Sequence, residues 1–346
     1  MKTIINISYG KLLLFILISI SIFSCKKSEK LALQDNYLGE EVSGNTALDK
    51  DLFDLMGKTY NIEVKYKWDQ SEFNMQYTLV PPIADKVLPA MTAVKKVWID
   101  PYNTETGSDL FMRTYAPKQL ILSGSPQLNK DGTSTEGVAE GGLDILLTNI
   151  NKINARSPAD VKGMLHLMHH EFTHILNQKK VYTQDFNKVT PSDYIAEWYN
   201  STINPLSLGF ISDYARKSPE EDFAEMVSWM LTWGKDSYEN TYIKQGLPVP
   251  NPAVYPAGSY SEYDAAAGQY YKKSDLDAIL KVWDRKTAAS IASFFIKDLV
   301  KPDYSAGIAK LRQKEAIVVA YFKSAYNINF YSLQANVQKS LAEAIK

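Results

Sequence analysis

His166, His169, His170 and His174 are the only histidines of this 346-residue chain, and they fall within nine residues. The run contains one His-Glu-x-x-His, His170-Glu171-Phe172-Thr173-His174. On a helix, residues four apart share a face, so His170 and His174 can offer imidazole nitrogens to one ion while Glu171 reaches a water bound to it. Imidazole also suits copper, nickel and iron, but two histidines on one turn with an adjacent carboxylate is the arrangement used for zinc-activated water. The competing reading is a chance match on a helix whose histidines only pack or hydrogen-bond. His166 and His170 are also one turn apart, but Leu167 stands where that frame would need its glutamate.

The spacing counts only if the segment is helical. Ser157-Pro158-Ala159-Asp160 offers a hydroxyl cap, proline at the first helical position and an acid in the first turn. Val161, Leu165, Met168, Phe172, Ile175 and Leu176 then recur at three- and four-residue steps, an apolar face that predicts a core helix. Burying several imidazoles without partners is costly, which favours ligand or hydrogen-bonded roles. His169, rotated about 100° from His170, reads as a packing or surface residue. His166 reads as a satisfied structural histidine, with a place at the edge of the cleft as the alternative.

A catalytic zinc takes three protein ligands and keeps one position for water. Asn177 and Lys180 occupy the places of the glycine and the third histidine in the longer zinc motif, so the third ligand falls to a carboxylate. The best stretch is 218–231, which starts with Ser218-Pro219 and turns strongly apolar. Glu221 and Glu225 are one turn apart on it, which suits a ligand at the first and, at the second, a carboxylate that receives the other N–H of a ligating histidine. Glu225 stands among Phe223, Ala224, Met226, Val227, Trp229 and Met230, where a charge needs a partner. The plain alternative for Glu221 is a capping box with Ser218. Asp222 and Glu197 are the other candidates.

His170-Glu171-Phe172-Thr173-His174, taken with Tyr214-x-Arg216 and Glu221-Asp222-Phe223-Ala224-Glu225, resembles the gluzincin metallopeptidases and, locally, the protease domain of anthrax lethal factor. Over a longer stretch, including 313–321, the chain resembles the zinc-binding metallopeptidase lipoproteins found beside SusC/SusD-type nutrient importers. The resemblance implies one Zn2+ held by His170, His174 and Glu221, Glu171 as general base, Tyr214 as transition-state donor and Glu225 as the outer partner of a ligand. It implies a zinc metallopeptidase that cleaves peptide or protein substrates through a zinc-bound water activated by Glu171, beside an outer-membrane importer. The fold it implies is α+β and zincin-like, with a small mixed α/β lobe containing an antiparallel sheet and a mainly helical C-terminal lobe. Set apart from the resemblance, Tyr214 is one of 22 tyrosines and reads as packing.

Lys2 and Lys11 precede an apolar run over 12–23 that is too short to span a bilayer and ends at Ser24-Cys25. This reads as a lipoprotein signal peptide over 1–24, with Cys25, the only cysteine, as the lipidated residue of an envelope protein anchored at the outer membrane. An ordinary cleaved signal with a spare thiol is the alternative. Residues 25–45 read as a tether, and 46–346 as the peptidase domain, with an α/β lobe over 46–180 and a helical lobe over 181–346. The chain is 45% apolar and 22% charged with a net charge of −1, which gives no case for nucleic-acid binding or a polybasic membrane patch.

Helices are expected over 48–60, over 84–98 with an interruption at Pro89, and over 219–233, 274–298, 306–325 and 331–345. Strands are expected over 62–68, 119–122 and 143–147, the last two flanking a glycine-rich loop at 131–142. The resemblance implies an antiparallel edge strand lining the cleft; 143–148 reads equally as that edge, to which a peptide could add, or as a plain core strand. The stretch 238–271 reads as a surface loop. Two other functions stay open: a non-catalytic lipoprotein with structural zinc that assists an importer, and a zinc amidase acting on a non-peptide substrate.

Overall fold

Residues 46–73, 76–129, 134–135, 137–140, 143–244, 246–261, 270–275, 295–296, 299–300 and 303–345 are described by the computed structural model. The signal, lipidation and tether readings, Cys25 among them, lie outside these residues, as does most of the helix expected over 274–298. Thr46–Lys346 falls in one compact unit. Among the described residues no helix is long and apolar enough to cross a membrane.

The first helix, α1, spans Ala47–Leu52, passes through a π turn at Phe53–Gly57 and resumes over Lys58–Tyr60. Thr46 and Asp49 close a capping box at its start. Strand β1 is Glu63–Lys65, shorter than the alternation at 62–68 suggests. Helix α2 then runs over Ala84–Val94, through a π turn at Lys95–Ile99, into Asp100–Thr106. The interruption expected at Pro89 does not occur. Proline costs one hydrogen bond there, but Val87, Ala90, Met91 and Val94 bury one continuous face that holds the helix together.

After α3 (Leu110–Tyr115) come β2 (Gln119–Leu122), β3 (Gly137–Glu140) and β4 (Asp144–Leu147). They form one sheet in the order β1-β2-β4-β3. β1 and β4 flank β2 in parallel, with Leu120 opposite Val64 and Ile145, and only β3 pairs antiparallel, Ala139 opposite Ile145. The sheet is therefore mixed rather than antiparallel, with β1 at one edge and, at the antiparallel edge, β3, inside the stretch expected to be a glycine-rich loop. The strand at 144–147 is interior. Leu120, Leu122, Ile145 and Leu147 are almost fully buried, as strands covered by neighbours should be, whereas the glycines around β3 weaken its strand signal.

Helix α4 (Pro158–Lys179) begins at the expected cap, the Ser157 hydroxyl accepting from the Asp160 N–H. Its apolar face is buried; Phe172 meets Trp98 and Tyr102 edge-on at 5.3 Å each. Helix α5 (Pro219–Tyr238) is capped by Ser218 and packs along α4. Gly234, at φ +78°, breaks its regular turn, and the Gln338 amide donates to the carbonyls of Leu231 and Thr232 just before the break. A side chain at 234 would meet Gln338 at 2.8 Å. Helices α6 (Ser305–Tyr326) and α7 (Phe330–Ala344) pack against α5. The expected loop after Tyr238 instead continues as a π turn over Glu239–Ile243, with Tyr238, Ile243 and Leu247 buried against the core. The fold is mixed α/β, mostly helical with small sheets.

Candidate metal centre

Because α4 and α5 lie side by side, one turn of each faces the other. His170 and His174 stand one turn apart on α4, and Glu221 sits in the first turn of α5, where its backbone N–H is held by the Ser218 hydroxyl. His170 Nε2 lies 3.0 Å and His174 Nε2 3.2 Å from Glu221 Oε2, and the two nitrogens are 3.1 Å apart. Three potential ligand atoms thus form a near-equilateral triangle. A tetrahedral zinc with bonds of about 2.0–2.2 Å sets its ligand atoms roughly 3.3–3.5 Å apart, so this donor set fits the ion to within a few tenths of an ångström.

Electrostatics at the triangle follow from crowding nitrogens and carboxylates together. Burial opposes an imidazolium at His170, yet the hydrogen bonds it donates to Glu221 and Glu225 raise its pKa to about 10. Burial would raise Glu221, but His170, His174 and Lys217 hold it far below the usual carboxylate range. The Glu221 partner on its solvent side is Lys217, whose Nζ is 2.7 Å from Oε1.

Glu225 lies one turn along α5 and is 4% exposed. Its Oε1 is 2.9 Å from His170 Nδ1 and 3.1 Å from His166 Nε2. Its Oε2 accepts from the Ser212 hydroxyl at 2.5 Å and from Trp229 Nε1 at 2.9 Å. Four contacts saturate the carboxylate and fix its orientation. Since a carboxylate only accepts, His170 donates through Nδ1 and is left to present Nε2 to the triangle. Burial alone would raise Glu225, but His166 and His170 hold it well below the usual range.

The structure brings the remaining expected residues to the same place. Glu171 is 6% exposed on the same helix turn as the two histidines. Tyr214, on a short 3-10 turn at Tyr214–Arg216, sets its ring 5.8 Å from that of His170 and accepts from Lys217 Nζ at 3.1 Å. Burial and the nearby Glu221 raise its phenol above the ordinary range, so the proton stays on the oxygen. His169 points the other way: it is fully buried, its ring 5.8 Å from Tyr102, and burial pushes its pKa down to about 3, a neutral packing histidine. Asp222 turns away from the triangle onto Lys314, 2.6 Å off, and Glu197 is exposed elsewhere.

Three site residues escaped the sequence reading. Trp229 and Lys217 are each one turn from a glutamate of α5, at the four-residue spacing that brings side chains together, and that spacing was a usable signal. Ser212 comes from the segment before the helix and carried none. His166, read as a satisfied structural histidine, is a direct partner of Glu225 and packs against Trp229 and Trp233 at 5.3 and 5.6 Å.

A family model described as "Putative zinc-binding metallo-peptidase" matches residues 41–331. The fold is similar to a crystal structure described as "a putative zinc-binding metallo-peptidase" from Bacteroides caccae ATCC 43185, at 25% identity and a TM-score of 0.56, over 86% of this chain and 92% of that one. A search of curated proteins finds no match. With the match extending over most of its length and with two histidines and a glutamate gathered for a metal, the chain belongs to this zinc-binding metallo-peptidase family.

Proposed function

We propose that the chain is a gluzincin-type, zincin-like peptidase that hydrolyses peptide bonds, with His170, His174 and Glu221 holding one zinc and Glu171 as its general base. The convergence of two imidazole nitrogens and one carboxylate oxygen within 3.2 Å, on the helix turn that also carries Glu171, is the observation behind this reading. Bound there, zinc would polarise a scissile carbonyl and lower the pKa of a coordinated water toward neutrality. Glu171 takes a proton from the attacking water and returns it to the leaving amine. Tyr214, which keeps its proton, donates to the carbonyl oxygen as charge develops on it. Glu225 orients His170 and is itself fixed by His166, Ser212 and Trp229.

The same proposal includes anchoring of the chain through Cys25 at the bacterial outer membrane, beside a SusC/SusD-type importer. Its support is the short apolar leader ending in Ser24-Cys25 and the resemblance carried by 169–176 and 221–226.

The decisive comparison is wild type against Glu171→Gln on a diverse peptide library, with zinc content measured alongside. Glu171→Gln should keep one zinc per chain and lose about 10²- to 10⁴-fold or more in hydrolysis rate. A variant that cleaves at the wild-type rate would remove Glu171 from the mechanism. Glu225→Ala tests the outer partner: zinc affinity by chelator competition should fall about 10- to 100-fold, and unchanged affinity would mean that the carboxylate only packs.

A further inference from the structure

A cavity of about 260 Å³ lies beside the amino-terminal half of α4, between that helix and the turn that follows β4. Its apolar walls include Leu147, Ile150, Met164 and Leu167, and the exposed Gly163 opens it to solvent. The helix contributes Ala159, Asp160, Gly163, Met164 and Leu167. At about 100° per residue these cluster around a direction midway between His170 and His174 on one side and Glu171 on the other. The cavity is therefore the upstream continuation of the helix face that carries the proposed ligands and base.

We propose that this cavity is a substrate subsite that takes a large apolar side chain of the peptide; the inference rests on the peptidase reading of the metal centre. Leu167 lies about 6 Å and Gly163 about 12 Å along the helix axis from Glu171. An extended peptide advances about 3.3 Å per residue, so the side chain received here belongs to a residue two to four positions from the scissile bond. The volume falls just below the range of about 300–1,000 Å³ for whole-ligand pockets, which suits one large side chain rather than a complete small molecule.

Two features distinguish the cavity from a packing fault. Gly163 is a poor helix former in mid-helix, and a Cβ there would meet nothing within 4 Å, so the residue costs helix stability and leaves room in return. Asn149, held at φ +64° on the cavity wall, buries its side-chain Oδ1 with no hydrogen-bond partner among the described residues. The edge strand β3 packs against α4, and its Gly137 pairs with Leu147, the β4 residue that lines the cavity.

The test separates binding from cleavage. A library of blocked, randomised octapeptides is selected for binding to the full zinc-loaded chain carrying Glu171→Gln, and to the same chain carrying Gly163→Leu in addition. Selected peptides should be enriched in Leu, Met or Phe at one position, and Gly163→Leu should weaken their binding by about tenfold or more, while peptides with alanine there are bound as before. No positional enrichment, or enrichment unchanged by Gly163→Leu, overturns the subsite. Cleavage of the same library by the chain with Glu171 intact reads the peptidase proposal separately: absent cleavage with a Gly163-sensitive apolar preference sinks the reaction and leaves the subsite standing.

Discussion

Glu221→Ala is expected to abolish zinc binding and, with it, all hydrolysis, while the chain stays folded. Among the described residues the nearest other carboxylate is Glu225, grouped with His166 and His170. Histidine occurs nowhere outside 166–174, and Glu225 already accepts four contacts through its two oxygens, so it cannot swing one turn along α5 without leaving the donors of His166, His170, Ser212 and Trp229 unpaired. Asp222, the neighbouring acid, is committed to Lys314. Loss of an outer partner costs about 10- to 100-fold in metal affinity, and loss of one of three ligands should exceed that, leaving no zinc after gel filtration. Since Glu221 sits in the first turn beside exposed Lys217, its removal should disturb the fold little, and circular dichroism should be unchanged. Stoichiometric zinc in Glu221→Ala would end its assignment as a ligand.

The metal centre was legible because helical spacing is a rigid ruler. The caps at Ser157 and Ser218, the apolar faces of α4 and α5, and the pairs 170/174 and 221/225 all follow from residues three and four apart, and the structure sets them facing one another. What the ruler cannot measure is pairing between distant segments. Ser212 reaches Glu225 from outside α5, and His166 chooses between packing and partnering only once α5 is docked. The edge of the sheet was not legible for a related reason. Strand 144–147 carries the strong apolar signal because it is interior, whereas the actual edge, Gly137–Glu140, hides in glycine-rich sequence. Pro89 misled in the opposite sense: a local rule was overridden by the burial of Val87, Met91 and Val94 on either side of it.

Lys314→Met is expected to destabilise the chain by about 3–5 kcal/mol, the cost of leaving a buried charge without its partner. Lys314 and Asp222 are both fully buried, 2.6 Å apart. The ammonium also donates to the Gly209 carbonyl at 2.7 Å and lies 3.9 Å from the Phe210 ring centroid. Asp222 accepts from the Tyr194 hydroxyl at 2.9 Å, while its Oδ1 has no partner among the described residues. Burial raises the Asp222 carboxyl to about 6 against the pull of Lys314, and pushes Lys314 below its ordinary range against the pull of Asp222. With the lysine gone, the Tyr194 hydroxyl is left to offset burial, and the Asp222 pKa should rise further. A carboxyl whose folded pKa lies above its unfolded value binds its proton more tightly when folded, so stability falls as pH rises through that interval. The penalty of Lys314→Met should therefore be smaller at pH 5 than at pH 8 in urea unfolding, and Asp222→Asn added to it should recover most of the loss. The pair also bears on the metal. It ties the start of α5 to α6 and to the segment at Gly209, which leads into Ser212 and Tyr214, so a loosened pair should shift Glu221 and weaken zinc binding without any change among the ligands. A stability loss under 1 kcal/mol, flat between pH 5 and 8, would show that the buried pair does not hold that corner of the site.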